Sequence, residues 1–342
     1  ILYGNQYWKC SWFFICGYLG EKIGWHYGFS AAGFGMALGI IRYKYSLPIL
    51  GNVGLKPNLQ ITHSERRRDI RLIILSLVII CSILLLGTLQ IIQFNPVPLA
   101  NILTLFISSI AILYFFYIFV FGSLDTKEKK NITMIIVLFI SSAFFWAGFD
   151  QAGSSFSIFA KEYTDRFIFS WEYPSTWIQI LNPVLVVVLS PFLAALWISL
   201  GKKMLDPSLP FKFGIGLILM AIGFMFVAMG ANVALSNGSA GVKWLLLTYL
   251  FHTLGELTIS PIGLAAISDL SPKKYVGQMM GIWFLASSLG AIIAGLLSGQ
   301  ATNEGLASMP ILFNKIAFSA SIFGFILIII SRPLNKLLLG KN

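Results

Sequence analysis

The sequence predicts an all-α polytopic membrane protein, and three observations carry that prediction. Of 342 residues, 57% are apolar and 11% are charged, with a mean hydropathy of +0.82. A soluble domain of this size has too little interior for so much apolar surface. Apolar runs of about twenty residues, the length needed to cross a hydrocarbon core, recur along the whole chain. The alternating strand pattern of a membrane barrel is missing.

The elements follow in order. A partial helix is predicted at 12–19, after the polar stretch Tyr3-Gly4-Asn5-Gln6-Tyr7-Trp8-Lys9. Gly20-Glu21-Lys22-Ile23-Gly24 reads as a tight connection to a first complete span at 25–43. A long polar loop follows at 44–68, with Pro48, Gly51, Gly54 and Pro57. Spans at 70–92 and 98–121 carry no charge between Leu72 and Leu124 and hold little beyond Ile, Leu, Phe and Ser. Such helices suit a peripheral, lipid-facing place.

Six more spans are predicted at 132–160, 176–200, 211–231, 244–270, 276–298 and 311–331, with Gly, Pro, Asn, Gln, Asp and Glu inside them. Gly281, Gly290 and Gly295 predict close helix approach. Pro183, Pro191 and Pro261 each remove a backbone hydrogen bond and predict bends. Pro261 frees the carbonyl of Leu257, beside Glu256.

Charge tests this map. Alternate loops put 18 of the 24 Lys and Arg residues on one side. The other six are Lys9, Lys22, Lys161, Arg166, Lys243 and Lys315. By the positive-inside rule, the Arg66-Arg67-Arg68 loop and the C-terminus are cytoplasmic. The net charge of +11 is scattered over span ends, so a nucleic-acid surface is excluded. Cys10, Cys16 and Cys81 are odd in number and widely spaced, which suggests neither a disulfide framework nor a metal site. The chain begins Ile1-Leu2-Tyr3, without an initiator Met or a signal peptide, so a fragment lacking its upstream part is expected.

Glu256 carries the functional argument. A carboxylate at mid-membrane depth costs about 2.5–3.5 kcal/mol on insertion scales. Two readings explain its presence. It binds a cation, a proton or both in a wet cavity, or it stays protonated and hydrogen-bonds a neighbouring helix. Asp150, in Phe149-Asp150-Gln151, is a second intramembrane acid. A low-dielectric cavity favours its neutral form and suits reversible protonation, and the alternative is a hydrated group nearer the interface.

Asn182 offers a donor and an acceptor to a ligand's peptide group, or to a neighbouring helix. Trp283 suits an aromatic cavity wall, or a lipid- or core-facing place. His252 and Glu256 share a helix face, but no third or fourth ligand has metal spacing, and no metal or cofactor is expected. No phosphate-binding loop is present, so any transport draws on an ion gradient or facilitated flow. A membrane-embedded hydrolase or acyltransferase would need a nucleophile beside a base. His252 and Ser260 lie more than two turns apart, so no enzyme is expected.

The residues Gly17-Tyr18-Leu19-Gly20-Glu21-Lys22-Ile23-Gly24-Trp25-His26-Tyr27-Gly28-Phe29 resemble the junction of helices five and six in the proton-dependent oligopeptide transporter (POT) family. That family is a branch of the major facilitator superfamily. Leu50-Gly51-Asn52-Val53-Gly54-Leu55, Phe145-Trp146…Asp150-Gln151-Ala152-Gly153-Ser154-Ser155 and Leu181-Asn182-Pro183 resemble it too. The strongest match is Gly255-Glu256-Leu257…Ser260-Pro261-Ile262-Gly263-Leu264.

The resemblance implies a partial major facilitator fold: the end of helix five, helix six, two inserted helices and helices seven to twelve, with the first four helices absent. It divides the chain into 1–44 (end of the N-terminal bundle), 45–69 (cytoplasmic loop), 70–130 (inserted pair) and 131–342 (C-terminal six-helix bundle). It implies proton-coupled symport of di- and tripeptides across the bacterial inner membrane by alternating access, in a monomer. Glu256 would hold the peptide's amino terminus, Asp150 would couple the proton where the family more often has Glu, and Asn182 would bind the peptide backbone. Trp283 and Trp146 would line the cavity, Ser260 would assist Glu256, and Glu162 would belong to an outer gate. The partners implied are short peptides, protons and the lipid bilayer. The alternatives are another proton-linked major facilitator carrier of small solutes, or a non-functional truncated remnant.

Overall fold

The computed structural model describes residues 2–51, 62–89, 91 and 95–339. Its helices are α1 (Leu2–Tyr18), α2 (Trp25–Leu50), α3 (His63–Thr88), α4 (Pro96–Phe121), α5 (Thr126–Phe149) and α6 (Ser155–Glu162). They continue with α7 (Leu181–Lys202), α8 (Leu209–Asn237), α9 (Lys243–Leu270), α10 (Val276–Glu304) and α11 (Met309–Leu339). Among the described residues, eight helical runs are long and apolar enough to span a bilayer. The α2 helix, expected as a span at 25–43, is not one of them. Its Trp, His, Tyr and Gly residues dilute its hydropathy. The loop residues Asn52–Leu55, Lys56 and Pro57, on which part of the resemblance rests, lie outside the described residues, as does Lys341.

Boundaries move where caps and interfacial charges extend the helices. The 44–68 loop shrinks, because α2 runs on to Leu50 and α3 begins at His63. Glu65 starts α3 by accepting from the Thr62 amide at 3.0 Å and its hydroxyl at 2.6 Å, a capping-box arrangement. The α1 helix starts at Leu2, so the polar stretch 3–9 is helical rather than a turn, and Lys9 belongs to a helix. Between α1 and α2, a π-helical turn over Leu19–Ile23 ends at Gly24, whose φ of 150° is one that side-chain-bearing residues avoid.

The chain forms two compact units, residues 1–29 with 103–342, and residues 30–102. In the smaller unit, the apolar residues of α3 from Ile70 to Leu85 are exposed, as expected of a lipid-facing helix. The helix α4, expected to face lipid too, departs from that expectation. In the larger unit, α4 buries Ala111, Phe115 and Ile118. Phe115 meets Phe139 of α5 edge-on at 5.8 Å, and the Tyr114 hydroxyl donates to Gln278 of α10 at 2.9 Å.

The core of the larger unit lies where α5, α8, α9, α10 and α11 pack together. Small residues set that packing. A Cβ on Gly214 would lie 2.7 Å from the Gly324 carbonyl of α11, and one on Gly255 would lie 2.8 Å from the Gly216 carbonyl of α8. Of the three glycines expected at contacts, only Gly290 is at one. Its Cβ would lie 2.8 Å from both the Ala143 carbonyl and the Ala147 nitrogen, while Gly281 and Gly295 have open space.

The prolines do not interrupt the helices. The α9 helix runs unbroken through Pro261, and α7 through Pro191. Pro183 sits in the first turn of α7, where a missing N–H costs nothing. The breaks lie elsewhere: α5 ends at Phe149 and a 3-10 turn, Asp150–Gly153, leads to α6. Another 3-10 segment, Ser175–Ile180, leads into α7.

Overpacking the α5–α10 seam tests this account. Gly290→Val should lower stability by about 1–3 kcal/mol, read as a lower unfolding temperature in detergent. Gly295→Val should leave that temperature unchanged.

Candidate functional site

The site forms where the first turn of α7 meets the middle of α9. Because α7 starts at Leu181, after the 3-10 segment, Asn182 projects from a helix beginning rather than from within a continuous helix. Its amide nitrogen donates to Glu256 Oε2 at 2.7 Å and to the Thr253 hydroxyl at 3.2 Å. Both acceptors lie on one face of α9, three residues apart. Among the described residues, no hydrogen bond engages Glu256 Oε1. Both readings of Asn182, as a helix-joining amide and as a ligand contact, meet here, because the bond to Glu256 is itself a link between helices.

Asp150 lies at the broken end of α5 and is half-buried. The break is stitched by fully buried Gln151. Its amide donates to the Ala294 carbonyl of α10 at 3.1 Å, and its oxygen accepts from Ser155 at 2.6 Å. Asp150 thus projects from a gap between helices rather than from a regular helical face. Lys9 lies in α1 and is not the loop residue that the charge map assumed.

A cavity of about 640 Å³ lies between the C-terminal halves of α7 and α9. It is lined by Ser190, Trp197, Leu257, Pro261, Ala265 and Asp269, among others. Ser260, one turn past Glu256, is half-buried, and neither it nor Glu256 is among the lining residues.

The two tryptophans fare differently. Trp146 is half-buried, edge-on to Phe145 and Phe149 at 5.9 and 5.3 Å. Trp283 is buried on a packing seam rather than on an open wall. It sits edge-on to Phe213 at 6.3 Å and so close to Gly263 that a Cβ there would lie 2.2 Å from its ring. The wide ring fills the space that Gly263 leaves.

His252 shares the Glu256 helix but is 2% exposed. The rings of Phe224, Phe156 and Phe149 surround it at 4.9, 5.5 and 6.4 Å. Among the described residues, no three His, Cys, Asp or Glu side chains are grouped to hold a metal. Glu162 ends α6, exposed beside Tyr163. The polar contacts at that end of the bundle run instead through Glu21, Arg166 and Glu172. Sequence reasoning missed them because their partners lie on other elements, up to 155 residues away for Glu21.

The placement of Trp283 makes a test. Trp283→Ala should cost stability, about 3–5 kcal/mol for a buried Trp, and leave ligand affinity of the folded protein unchanged. Trp146→Ala should show the smaller stability loss. Thermal unfolding and calorimetric binding on the same preparations separate the two.

A family model described as PTR2, POT family, matches residues 13–312. Peptide transporter YePEPT of Yersinia enterocolitica is 35% identical over 331 residues, 95% of this chain and 65% of its own length. The di-/tripeptide transporter of Lactococcus lactis subsp. cremoris is 30% identical over 334 residues, with the same coverage of 95% and 65%. A crystal structure of a peptide transporter POT in complex with sulfate superposes with a TM-score of 0.84 at 26% identity, covering 95% of this chain and 65% of that one. A POT family transporter in complex with 5-aminolevulinic acid gives 0.81 at 26% identity, covering 95% and 66%. The chain thus spans about 65% of the length of the relatives it matches. With the family model matching across most of its length, this multi-pass helical membrane protein belongs to the POT family.

Proposed function

We propose that this chain is the C-terminal portion of a proton-coupled symporter of di- and tripeptides that works by alternating access. The observation that carries the reading is the Asn182–Glu256 bond at 2.7 Å between two membrane-spanning helices, with Asp150 on the break of a third. Glu256 Oε1 receives the ammonium group of a peptide while Asn182 turns its carbonyl oxygen to the peptide N–H. Asp150, on the 3-10 break of α5, takes and releases the coupled proton. Non-helical backbone at membrane depth is tolerated where it lines a cavity, as in broken transporter helices.

Family membership supports the peptide class, since the relatives named above are peptide transporters. In this reading, α1 and α2 end the N-terminal bundle, α3 and α4 are the inserted pair, and α5 to α11 form the C-terminal bundle. The basic bias puts the C-terminus in the cytoplasm of a cell with an inner membrane. With Lys9 inside a helix, that bias sharpens. Ser260 assists from the next turn of α9, and Glu162 stands at the outer end of α6.

Uptake of a radiolabelled dipeptide by the complete gene product in proteoliposomes, driven by an imposed proton gradient, tests the reading. Glu256→Gln should abolish uptake and dipeptide binding together, and normal uptake in that variant would refute the assignment. Asp150→Asn should preserve exchange of peptide across the membrane while ending accumulation against a gradient. If both activities survive, or both vanish, Asp150 is a structural carboxyl.

A further inference from the structure

One strong polar junction lies outside the proposed binding site. Glu21 leaves the turn between α1 and α2 and meets the start of the helical run Ser175–Lys202. Its Oε1 accepts from the Thr176 amide at 2.8 Å and the Ser175 hydroxyl at 3.0 Å, and its Oε2 accepts from the Ser175 amide at 2.9 Å. Amides at a helix start lack intrahelical partners and favour a negative charge. The carboxylate therefore caps one helix from the end of another.

The next residue is fastened to the same region. Lys22 lies 3.9 Å from Glu172, which also pairs with Arg166. Arg166 donates to the carbonyls of Tyr173 at 2.7 Å and Lys161 at 3.0 Å. Farther back along α1 the contact continues through close packing, ring stacking and one hydrogen bond. A Cβ on Gly17 would lie 2.3 Å from the Thr176 hydroxyl. Phe14 stacks on Trp177 at 4.3 Å, and the indole N–H donates to the Phe14 carbonyl at 3.1 Å. Glu21 itself is only half-buried, so water can reach the carboxylate and replace these donors if the elements part.

Burial disfavours the Glu21 carboxylate, but the hydrogen bonds from Thr176 and Ser175 outweigh it and hold its pKa below the ordinary carboxylate value. A depressed pKa means that the junction is intact above the ordinary carboxylate range and is lost only as pH falls through the lowered value. Near neutral pH, a proton does not open it.

We infer that Glu21 is the pin of a gate: it clasps the α1–α2 turn to the start of α7 while this end of the protein is shut, and its bonds must break for this end to open. The inference rests on the alternating-access reading, in which α1 and α7 belong to opposite bundles that separate during transport.

Cysteine accessibility tests it without substrate. In the complete gene product, with Cys10, Cys16 and Cys81 replaced by Ser, Ile180→Cys places a reporter in the cleft beside Ser11, Phe14 and Ile15. An impermeant maleimide is then added from the side of the α1–α2 turn. Glu21→Gln should raise the labelling rate about tenfold, the shift in an opening equilibrium that one lost charge-assisted bond supplies. The unfolding temperature should stay near that of the parent. An unchanged rate in a folded Glu21→Gln protein overturns the gate. Should that variant fail to fold, Ser175→Ala, which removes one donor, should give a smaller rise, and no rise overturns the gate. Normal uptake by Glu256→Gln would refute the transport reading whatever the labelling shows, so the two failures are distinguishable.

Discussion

The bond between the Asn182 amide and the Glu256 carboxylate is the constraint around which the site is built. A carboxylate inside a membrane must find a donor or a counter-charge, because lipid supplies neither. The donor here is a neutral amide, which stabilises the carboxylate without cancelling its charge. Only Oε2 is engaged by a hydrogen bond among the described residues, which leaves Oε1 open to a ligand. A saturated ion pair would have left nothing for a ligand. The chain arranges this by starting α7 at Leu181, which brings Asn182 to the level of Glu256, and by placing Thr253 to take the second amide contact.

The same logic governs the break in α5. Ending a helix at membrane depth exposes carbonyls and amides that must be satisfied internally. Gln151 does so by reaching the Ala294 carbonyl of α10, and Ser155 closes the other end of its amide. The helix ends where a buried side chain can take over its hydrogen bonding, and Asp150 is the residue left projecting from the gap. A continuous helix would have carried Asp150 on one regular face. The broken one frees its position from the helical repeat.

How much of this the sequence disclosed depends on the range of the interaction. Hydropathy is a local property, and it marked eight of the nine complete spans within a few residues. The span read at 25–43 coincides with a 26-residue helix, α2, whose aromatic and glycine content keeps it out of the bilayer-spanning set. Glu256, Asp150 and Asn182 stood out because each is polar in an apolar run, a signal readable without partners. Trp283 was ambiguous for the opposite reason: an aromatic residue in an apolar segment says nothing of which way it faces, and the answer depended on Gly263 across the seam. Gly214 and Gly324 likewise form a contact 110 residues apart in sequence, while Gly281, with the same composition around it, forms none. Glu21 looked like an ordinary turn residue because its partners, Ser175 and Thr176, are more than 150 residues downstream.

Charge balance links the site to the direction of the proposed chemistry. Glu256 and Asp150 bear like charges, and Lys9 bears the opposite one. With all three ionised, the cluster carries one negative charge in a region where water is scarce. Such a cluster lowers its energy by taking up one positive charge, and a proton on Asp150 and an ammonium group at Glu256 both qualify. The two ligands then compete electrostatically unless the ligand brings its own negative end. A zwitterionic peptide does bring one, so its carboxylate restores the deficit that lets a proton bind beside it. The proposed joint binding of peptide and proton suits this balance, whereas a simple cation would compete with the proton. Lys9, set inside α1 among otherwise uncharged helical residues, fixes the count at one rather than two.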